Sequence, residues 1–393
     1  MKQFIRNKLL WIGLGGIALL TTIFTFAFMG STVNPTPKNL PIAIVAEDAG
    51  VTLPNAHKLN ISETLVENLK KNDLNEVKWH FLTEDAALEA MNEKEIYATI
   101  LLPEDLSQNI FSLLTETPKA PTASITINEG LNLTGANVAA QLSNGVVANL
   151  NAQVQEQLYT QIEEMKIPIT ADLAKTLASP ITIKTEKINA VAENNANGNT
   201  PALFTQLLWI TTFFSSMVLY TLLKKSSDGK WTAKTIARQI VAGLVYVSAV
   251  SAIILFFATQ VLDVTVPHSG ALFILLLFIG LCFFFLQNAL LNWIGYPAAP
   301  LFILLLFFSM PILTIAPEML PQITKDYLYS WVPFRFSIDL LKDFLFFDKA
   351  VFANGIGTLG VIGILSFLVM SIAIFKPTKG KDSAKEKQIA TIH

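Results

Sequence analysis

The sequence has few residues of the kinds that carry catalytic chemistry. Its single cysteine, Cys282, excludes an intrachain disulfide and a CxxC metal or redox pair. The four histidines are far apart, and no HExxH or Cys/His zinc spacing occurs. No GxxxxGK[ST] motif for ATP hydrolysis occurs either. We therefore expect no catalytic residue, no metal site, no cofactor and no nucleic-acid partner, and the chain is not expected to be an enzyme.

Charged residues are also scarce, at 15% of the chain against about 25% in ordinary soluble domains. Hydrophobic residues make up 52%, and the mean hydropathy is +0.48. A helix that crosses a bilayer needs about 20 apolar residues. Six runs come close to that length and predict an α-helical polytopic membrane protein: residues 9–29, 203–223, 240–262, 271–291, 298–315 and 352–375.

None of these runs carries Lys, Arg, Asp or Glu in its interior. Ion-driven carriers commonly bury such groups at bilayer depth, so the sequence disfavours ion coupling. The polar residues near or within the runs are expected to form hydrogen bonds between helices: Gln206, Gln287, Asn288 and Asn292. Residues 355–360 match GxGxxG, but they lie in an apolar run with no preceding strand. This context favours close helix packing over nucleotide binding.

Basic residues near the runs predict the orientation in the membrane. Lys2, Arg6 and Lys8 precede the first run, which is too long and too poorly ended for a typical signal peptide, so residues 1–30 are interpreted as a cytoplasmic N-terminus with an uncleaved anchor. Lys and Arg accumulate on the cytoplasmic side of membrane proteins. Along the whole chain this rule predicts a membrane protein with both termini in the cytoplasm. Residues about 31–201 are then extracytoplasmic, residues 202–376 hold five transmembrane helices, and residues 377–393 form a basic cytoplasmic tail.

The polar insert at 31–201 is acidic. Between residues 31 and 200 it has 21 Asp and Glu against 11 Lys and no Arg. We interpret this charge as a solvated outer face in preference to an acidic binding surface. Alternating apolar residues predict an α/β unit at about 38–130, and its expected strands lie at 40–46, 76–82 and 97–102.

A long helical part is expected at about 135–190. Apolar residues spaced by four run through residues 137–165 and predict an amphipathic helix: Val138, Leu142, Val146, Leu150, Val154, Leu158 and Ile162. Packing of this stripe on the α/β unit is favoured. A dimer contact is the alternative, although the spacing is not that of a coiled coil.

The loop before the last run alternates aromatic and charged residues. Trp and Tyr prefer the membrane interface, so short helices are expected to lie there. The candidate residues of this outer interfacial loop are Pro317, Glu318, Pro321, Trp331, Pro333, Arg335, Asp339 and Lys342.

Three stretches carry a family resemblance. Residues 41–50 form a strand-like run ending in Glu-Asp-Ala-Gly, residues 95–107 include Tyr-Ala-Thr-Ile, and a Pro-rich segment at 317–321 precedes residues 332–342. These stretches and the one-plus-five order of apolar runs resemble the type-2 ABC (ABC-2) transporter permeases, particularly the bacterial branch that includes the YhgE/Pip (phage infection protein) group. The resemblance implies that the chain lies in a bacterial cell membrane. The resemblance covers nearly the whole chain. Compared with that group, Phe336 replaces a usual Tyr, Lys342 a usual Arg and Leu106 a usual Phe.

The resemblance implies six transmembrane helices, with an extracytoplasmic α/β domain inserted between the first and the second. It also implies a permease subunit that pairs with a second copy or a related half, and a separate cytoplasmic ABC ATPase that powers export of a lipid, polymer, peptide or drug-like substrate. The ATPase is expected to bind the loop after the second run, which here is short and lacks the family's Glu-x-Gly-Thr and Arg run. The candidate coupling residues are Lys224, Lys225, Asp228, Lys230, Trp231, Lys234 and Arg238.

A second class of function is compatible with the same layout. A non-transporting envelope protein of this architecture would act through residues 31–201 as a phage receptor, a secretion-system accessory or a scaffold. The two classes differ in whether a P-loop ATPase accompanies the protein.

Overall fold

The computed structural model describes residue 22 and residues 36–52, 58–71, 75–352 and 355–376. The chain forms two compact units. The first, called here the sheet unit, comprises residues up to Gly198 together with Thr314–Tyr327. The second, the helical unit, comprises Asn199–Leu313 and the chain from Leu328 onward. A segment between two apolar helices therefore belongs to the sheet unit.

In the described residues the sheet unit has seven strands and five main helices. Short helical segments also occur at Ala196–Gly198, Pro317–Met319, Gln322–Thr324 and Lys325–Tyr329, the last of which continues into the helical unit. The bounds of the strands and the five main helices are β1 Leu40–Ala46, β2 Val51–Thr52, β3 Lys58–Leu59, α1 Ile61–Lys71, β4 Val77–Phe81, α2 Glu84–Asn92, β5 Ala98–Leu102, α3 Leu106–Ser112, β6 Thr122–Asn128, α4 Leu133–Met165, α5 Ala171–Ala178 and β7 Thr182–Ile188. Strands β1, β4 and β5 coincide closely with the three strands that the sequence predicts. Helix α2 begins after Thr83, whose side chain accepts a hydrogen bond from the backbone N–H of Ala86.

Five of the strands form one mixed sheet in the order β4-β1-β5-β6-β7, while β2 and β3 form a separate antiparallel pair. β1 runs parallel to both β4 and β5, β5 pairs antiparallel with β6, and β6 runs parallel to β7. In β1, Ile42 lies beside Trp79 of β4 and Ala98 of β5. The parallel strands therefore begin at the same edge of the sheet.

Helices cover both faces of this sheet. Alternate residues of β1 point to opposite faces, as the pleat requires. Leu40, Ile42 and Ile44 join the larger core with α1, α3 and α4. Ala43 and Val45 pack on the other face with α2. A strand buried on both sides reads as a continuous apolar run, which is the signal that β1 gives in the sequence.

Helix α4 packs on the sheet, but through a face that differs in part from the predicted stripe. In its second half the predicted Leu150, Val154, Leu158 and Ile162 are buried. In its first half the predicted Val138, Leu142 and Val146 are only partly buried. The fully buried residues of that half are instead Gly135, Ala136, Ala139, Ser143 and Val147. A uniform spacing of four drifts around a helix of 3.6 residues per turn, so it cannot keep one face over eight turns.

In the part of the chain that the structure describes, the helical unit contains six helices and one short final turn. Their bounds are α6 Thr200–Ser226, α7 Ala233–Gln260, α8 Ser269–Ile294, α9 Ala298–Leu313, α10 Pro333–Phe346 and α11 Gly357–Ile372, with a final turn at Ala373–Phe375. Four of them are long and apolar enough to cross a membrane: α6, α7, α8 and α11 with its final turn. α9 is apolar but has 16 residues, a length of about 24 Å against a hydrocarbon core of about 30 Å.

Two parts of the predicted layout lie outside the described residues, namely the first apolar run at 9–29 and the basic tail at 377–393. The count of six spans and the insertion of an α/β domain between the first two therefore stay predictions.

Small residues let the long helices approach closely. A Cβ at Gly363 of α11 would lie 2.6 Å from Cys282 Sγ of α8, and one at Gly280 would lie 2.6 Å from Val247 of α7. By contrast, nothing in the described residues lies within 4 Å of a Cβ at Gly355 or Gly357. Both adopt positive φ angles, Gly355 just before α11 and Gly357 as its first residue. The first two glycines of the GxGxxG match therefore serve a turn, and their interpretation as helix-packing residues is wrong.

Candidate functional site

The candidate coupling residues gather around the short loop 227–232 that joins α6 to α7. Lys224 and Lys225 lie in the last turn of α6, Asp228 and Lys230 in the loop, and Lys234 and Arg238 in the first two turns of α7. All six side chains are exposed. Asp228 and Gly229 have φ angles of 48° and 76°, which reverse the chain within a few residues. The loop and the helix turns on either side of it together expose five cations and one carboxylate.

An aromatic cluster holds this loop in place. The Trp231 ring stacks on Tyr220 with a centroid distance of 5.7 Å, and Tyr220 meets Tyr296 edge-on at 5.2 Å. Lys224 Nζ lies over the Tyr296 ring at 5.0 Å and over the Tyr220 ring at 5.4 Å. Of the candidate coupling residues, Trp231 is thus the half-buried anchor of the loop.

Lys376 joins the same region from the end of α11. Its Nζ donates to the backbone oxygens of Asn292 and Trp293, at 2.9 and 2.7 Å. These are carbonyls of the last turn of α8, which ordinary helix geometry leaves unpaired. Burial lowers the pKa of Lys376, and Lys224 nearby adds to this shift. The basic cluster is therefore continuous from the loop to the last residue described at the end of α11.

Three buried amides connect the start of α7 to α8. Gln239 Nε2 donates to Asn288 Oδ1 at 2.6 Å and to Asn292 Oδ1 at 3.2 Å. Asn292 Nδ2 donates back to Gln239 Oε1 at 2.9 Å. All three side chains are fully buried. Gln239 directly follows Arg238 in α7, so this network begins next to the last of the candidate coupling residues.

The network continues into α6. Asn288 Nδ2 donates to Ser216 Oγ at 2.8 Å, and Ser216 Oγ also lies 3.2 Å from Gln287 Oε1. Gln287 Nε2 donates to the backbone oxygen of Trp209 at 3.1 Å. Of the four polar residues singled out in the sequence, Gln287, Asn288 and Asn292 thus meet in one network. Gln206 lies half-buried elsewhere on α6.

Two properties of this network bear on function. In membrane proteins such hydrogen bonds contribute only about 0.6 kcal/mol each on average, so the network adds little to stability for its size. It fixes the relative register of three helices, however, because an amide left unpaired in an apolar interior costs about 1–3 kcal/mol. A displacement at the start of α7 must therefore move α6 and α8 or break these bonds.

The predicted outer interfacial loop is divided between the two units. Pro317, Glu318 and Pro321 belong to the sheet unit, where Ala316 and Met319 enter its core. Tyr97, at the start of β5, is 1% exposed, and its hydroxyl donates to Glu318 Oε2 at 2.9 Å. Gly135 leaves room for the Tyr97 ring, because a Cβ there would lie 2.5 Å from it.

The rest of that loop belongs to the helical unit. Pro333 begins α10, whose Phe334, Ser337 and Leu341 are fully buried. Ser337 Oγ lies 2.7 Å from Thr205 Oγ1 of α6. Arg335 is half-buried, and its guanidinium stacks over Tyr329 and lies 3.7 Å from Asp339. The candidates Trp331, Asp339 and Lys342 are exposed or half-buried on the same stretch.

Asp48 connects several parts of the sheet unit, but it is not among the candidate residues predicted from the sequence. The Glu-Asp-x-Gly motif that contains it is nevertheless visible there. It is 6% exposed, and its carboxylate accepts hydrogen bonds from the backbone N–H groups of Gly50, Ser62 and Ser107. Ser107 Oγ also donates to it. The last two partners lie at the starts of α1 and α3, where unpaired N–H groups favour a negative charge. The Glu-Asp-x-Gly stretch thus binds the end of the Tyr-Ala-x-Ile stretch.

Comparison with known proteins identifies the family of the chain. A model of the ABC-2 family transporter proteins matches residues 8–375. The uncharacterized protein YhgE of Bacillus subtilis (strain 168) is 30% identical over 164 residues, which are 41% of this chain and 21% of YhgE. The chain thus matches about a fifth of the length of that relative. No solved structure matches significantly. With four helices of membrane-spanning length and a family match over nearly its whole length, the chain belongs to the ABC-2 family of membrane transporter proteins.

Proposed function

We propose that the chain is the permease subunit of an ABC-2 type exporter. Two copies form the membrane path, and a separate cytoplasmic ATPase supplies the energy. Residues about 31–201 lie outside the cell, both termini lie in the cytoplasm, and the exported substrate is a lipid, polymer, peptide or drug-like molecule. The chain itself acts as a membrane component, and ATP is hydrolysed by its partner.

The amide network that starts at Gln239 is the observation that carries this proposal. An ATPase that binds the cations of the loop pushes or pulls on the start of α7. Gln239 lies there, and its hydrogen bonds to Asn288 and Asn292 pass the displacement to α8 and then, through Ser216, to α6.

Co-purification tests the partner. Tagged chain is extracted from its native membranes in mild detergent, and bound P-loop ATPase is measured by mass spectrometry and by ATP hydrolysis. We expect near-equal amounts of ATPase with the unaltered chain and a loss of severalfold with Lys230→Glu or Arg238→Glu. Lys175→Glu is the control, because it makes the same charge change at an exposed site on α5 of the sheet unit.

Gln239→Leu separates binding from coupling. The variant keeps the exposed cations, so the ATPase should still bind, while stimulation of its hydrolysis by the permease falls. The proposal fails if no P-loop ATPase accompanies the unaltered chain, or if the loop variants retain it as the control does. An envelope protein acting through residues 31–201 would then take the place of the permease.

A further inference from the structure

The sheet unit contains a polar cleft that the proposed transport function does not use. Its volume is about 590 Å³, within the usual range of small-molecule sites. It lies at the edge where β1 and β4 begin, and the segment Thr314–Tyr327 supplies its other wall. Every residue that lines it belongs to the sheet unit.

The cleft carries a charge opposite to that of its surroundings. Lys38, Lys78 and Lys325 line it together with His80, whereas its acidic residues are Glu95 and Glu318. Cations outnumber carboxylates here, although residues 31–200 hold almost twice as many acidic residues as lysines. A basic cleft in an acidic domain attracts anions locally while the remaining surface repels them.

The fold positions these side chains in fixed ways. Lys78 and His80 are two residues apart on β4, so they point to the same face of the sheet, beside Pro41 and Ala43 of β1. Trp79 between them packs into the core on the opposite face. Glu318 is held twice, because Tyr97 donates to its carboxylate and the backbone N–H of Lys38 donates to its carbonyl oxygen at 3.0 Å.

We propose that this cleft binds a polyol phosphate, that is, a phosphate ester that also carries free hydroxyl groups. Lysine side chains act as point charges for the phosphate oxygens. The carboxylates of Glu95 and Glu318 accept hydrogen bonds from the hydroxyls, and the amides of Asn39 and Gln322 at the rim suit either part. A simple anion would use only the cations, and a neutral polyol only the acceptors. The mixed lining matches a ligand with both.

The same chemistry occurs in a soluble glycerol phosphate and in the headgroup of phosphatidylglycerol. Titration calorimetry of the full chain in detergent with glycerol phosphate tests the first source, and glycerol serves as the phosphate-free comparison. Native mass spectrometry with short-chain phosphatidylglycerol, compared with diacylglycerol, tests the second. Neither measurement requires an ATPase partner, so failure here is distinguishable from failure of the permease proposal.

Lys78→Gln and Lys325→Gln are the test variants, one on β4 and one on the facing segment. Each should weaken binding by about tenfold or more, the effect of losing one hydrogen bond to a charged group. Lys119→Gln and Lys175→Gln remove the same charge from exposed sites outside the cleft and should leave affinity unchanged.

The proposal is supported if either phosphate probe binds and if this binding depends on Lys78 and Lys325. Binding of glycerol phosphate indicates a soluble ligand, and binding of phosphatidylglycerol indicates a lipid headgroup. The proposal is overturned if neither probe binds, if glycerol binds as well as glycerol phosphate, or if the control variants weaken binding as much as the test variants.

Discussion

At the scale of single residues, Asp48 shows how one carboxylate organises a domain. It accepts hydrogen bonds from the starts of two helices and from the turn at Gly50. We predict that Asp48→Ala destabilises the protein by about 3 kcal/mol or more, because several backbone donors lose a charged acceptor at once. Thermal unfolding of the full chain in detergent measures the effect.

The matched control for this prediction is Asp105→Ala. It removes the same charge from an exposed residue two positions before Ser107, and the Asp105 side chain caps no backbone group. We expect a change within about 1 kcal/mol there. Equal losses for the two variants would show that Asp48 acts through charge alone and not through its hydrogen bonds.

His80 gives the proposed phosphate site a pH dependence. Burial lowers its pKa below the usual 6.5, Lys78 lowers it further, and Glu95 opposes the shift. His80 is therefore neutral near pH 7.5 and gains its proton only as the pH falls below 6.5. The other charged groups facing the cleft are Lys38, Lys325 and Glu318.

Protonation of His80 adds a positive charge, so phosphate affinity should rise severalfold as the pH falls through this range. The probe for this titration is glycerophosphoglycerol, a phosphodiester whose charge stays constant over the same interval. His80→Gln should abolish the rise while leaving the affinity near pH 7.5 unchanged. A rise of the same size in His80→Gln would contradict the assignment.

At the scale of elements, Gly363 sets the approach of α11 to α8. Gly363→Ala would bring a Cβ to 2.6 Å from Cys282 Sγ and 3.3 Å from Cys282 Cα. We predict a loss of about 1–3 kcal/mol from this overpacking, seen as a lower melting temperature in detergent.

Cys282→Ala in the same chain should recover part of that loss, since it removes the nearer atom. Gly270→Ala is the control, because nothing lies within 4 Å of the added Cβ in the first turn of α8. A drop at Gly270 as large as that at Gly363 would show that the cost is intrinsic to the helices.

The sequence predicts where strands and helices lie better than it predicts which of their residues are buried or in contact. Local patterns locate β1, β4 and β5 within one residue and five apolar helices within about seven residues at each end, because hydrophobic patterning is a local property. They misplace the buried face of the first half of α4, where Ala139 and Ser143 are buried through close packing rather than through hydrophobic size. They also give no sign that Tyr97 contacts Glu318, a pairing of residues 221 positions apart.

For the candidate sites too, the sequence identifies many of the residues but not the contacts that join them. The cations after α6 and the amides of α8 are recognisable in the sequence, since charge and polarity are unusual beside apolar runs. Their connection through Gln239 depends on how α7 packs against α8, and the phosphate cleft depends on a segment recruited from between two apolar helices. Such sites are assembled by tertiary contacts, which no local pattern encodes.

At the scale of the whole molecule, the orientation in the membrane is the central prediction. The single native cysteine makes it testable, because Cys282→Ala provides a cysteine-free chain. Lys175→Cys and Lys230→Cys then place one exposed thiol in each unit. In intact cells a membrane-impermeant maleimide should label the thiol at position 175 only, and both thiols should react after the membrane is permeabilised. Labelling at position 230 in intact cells would show that the predicted orientation is wrong.

The recruitment of Thr314–Tyr327 into the sheet unit has a consequence for biosynthesis. A ribosome that has completed β7 has made every strand of the sheet, yet the partner of the Tyr97 hydroxyl and the core residues Ala316 and Met319 are still to come. They emerge only after α6, α7, α8 and α9 have been synthesised. The sheet unit can therefore reach its final form only late in translation, so its maturation reports that the first four helices of the helical unit have been made.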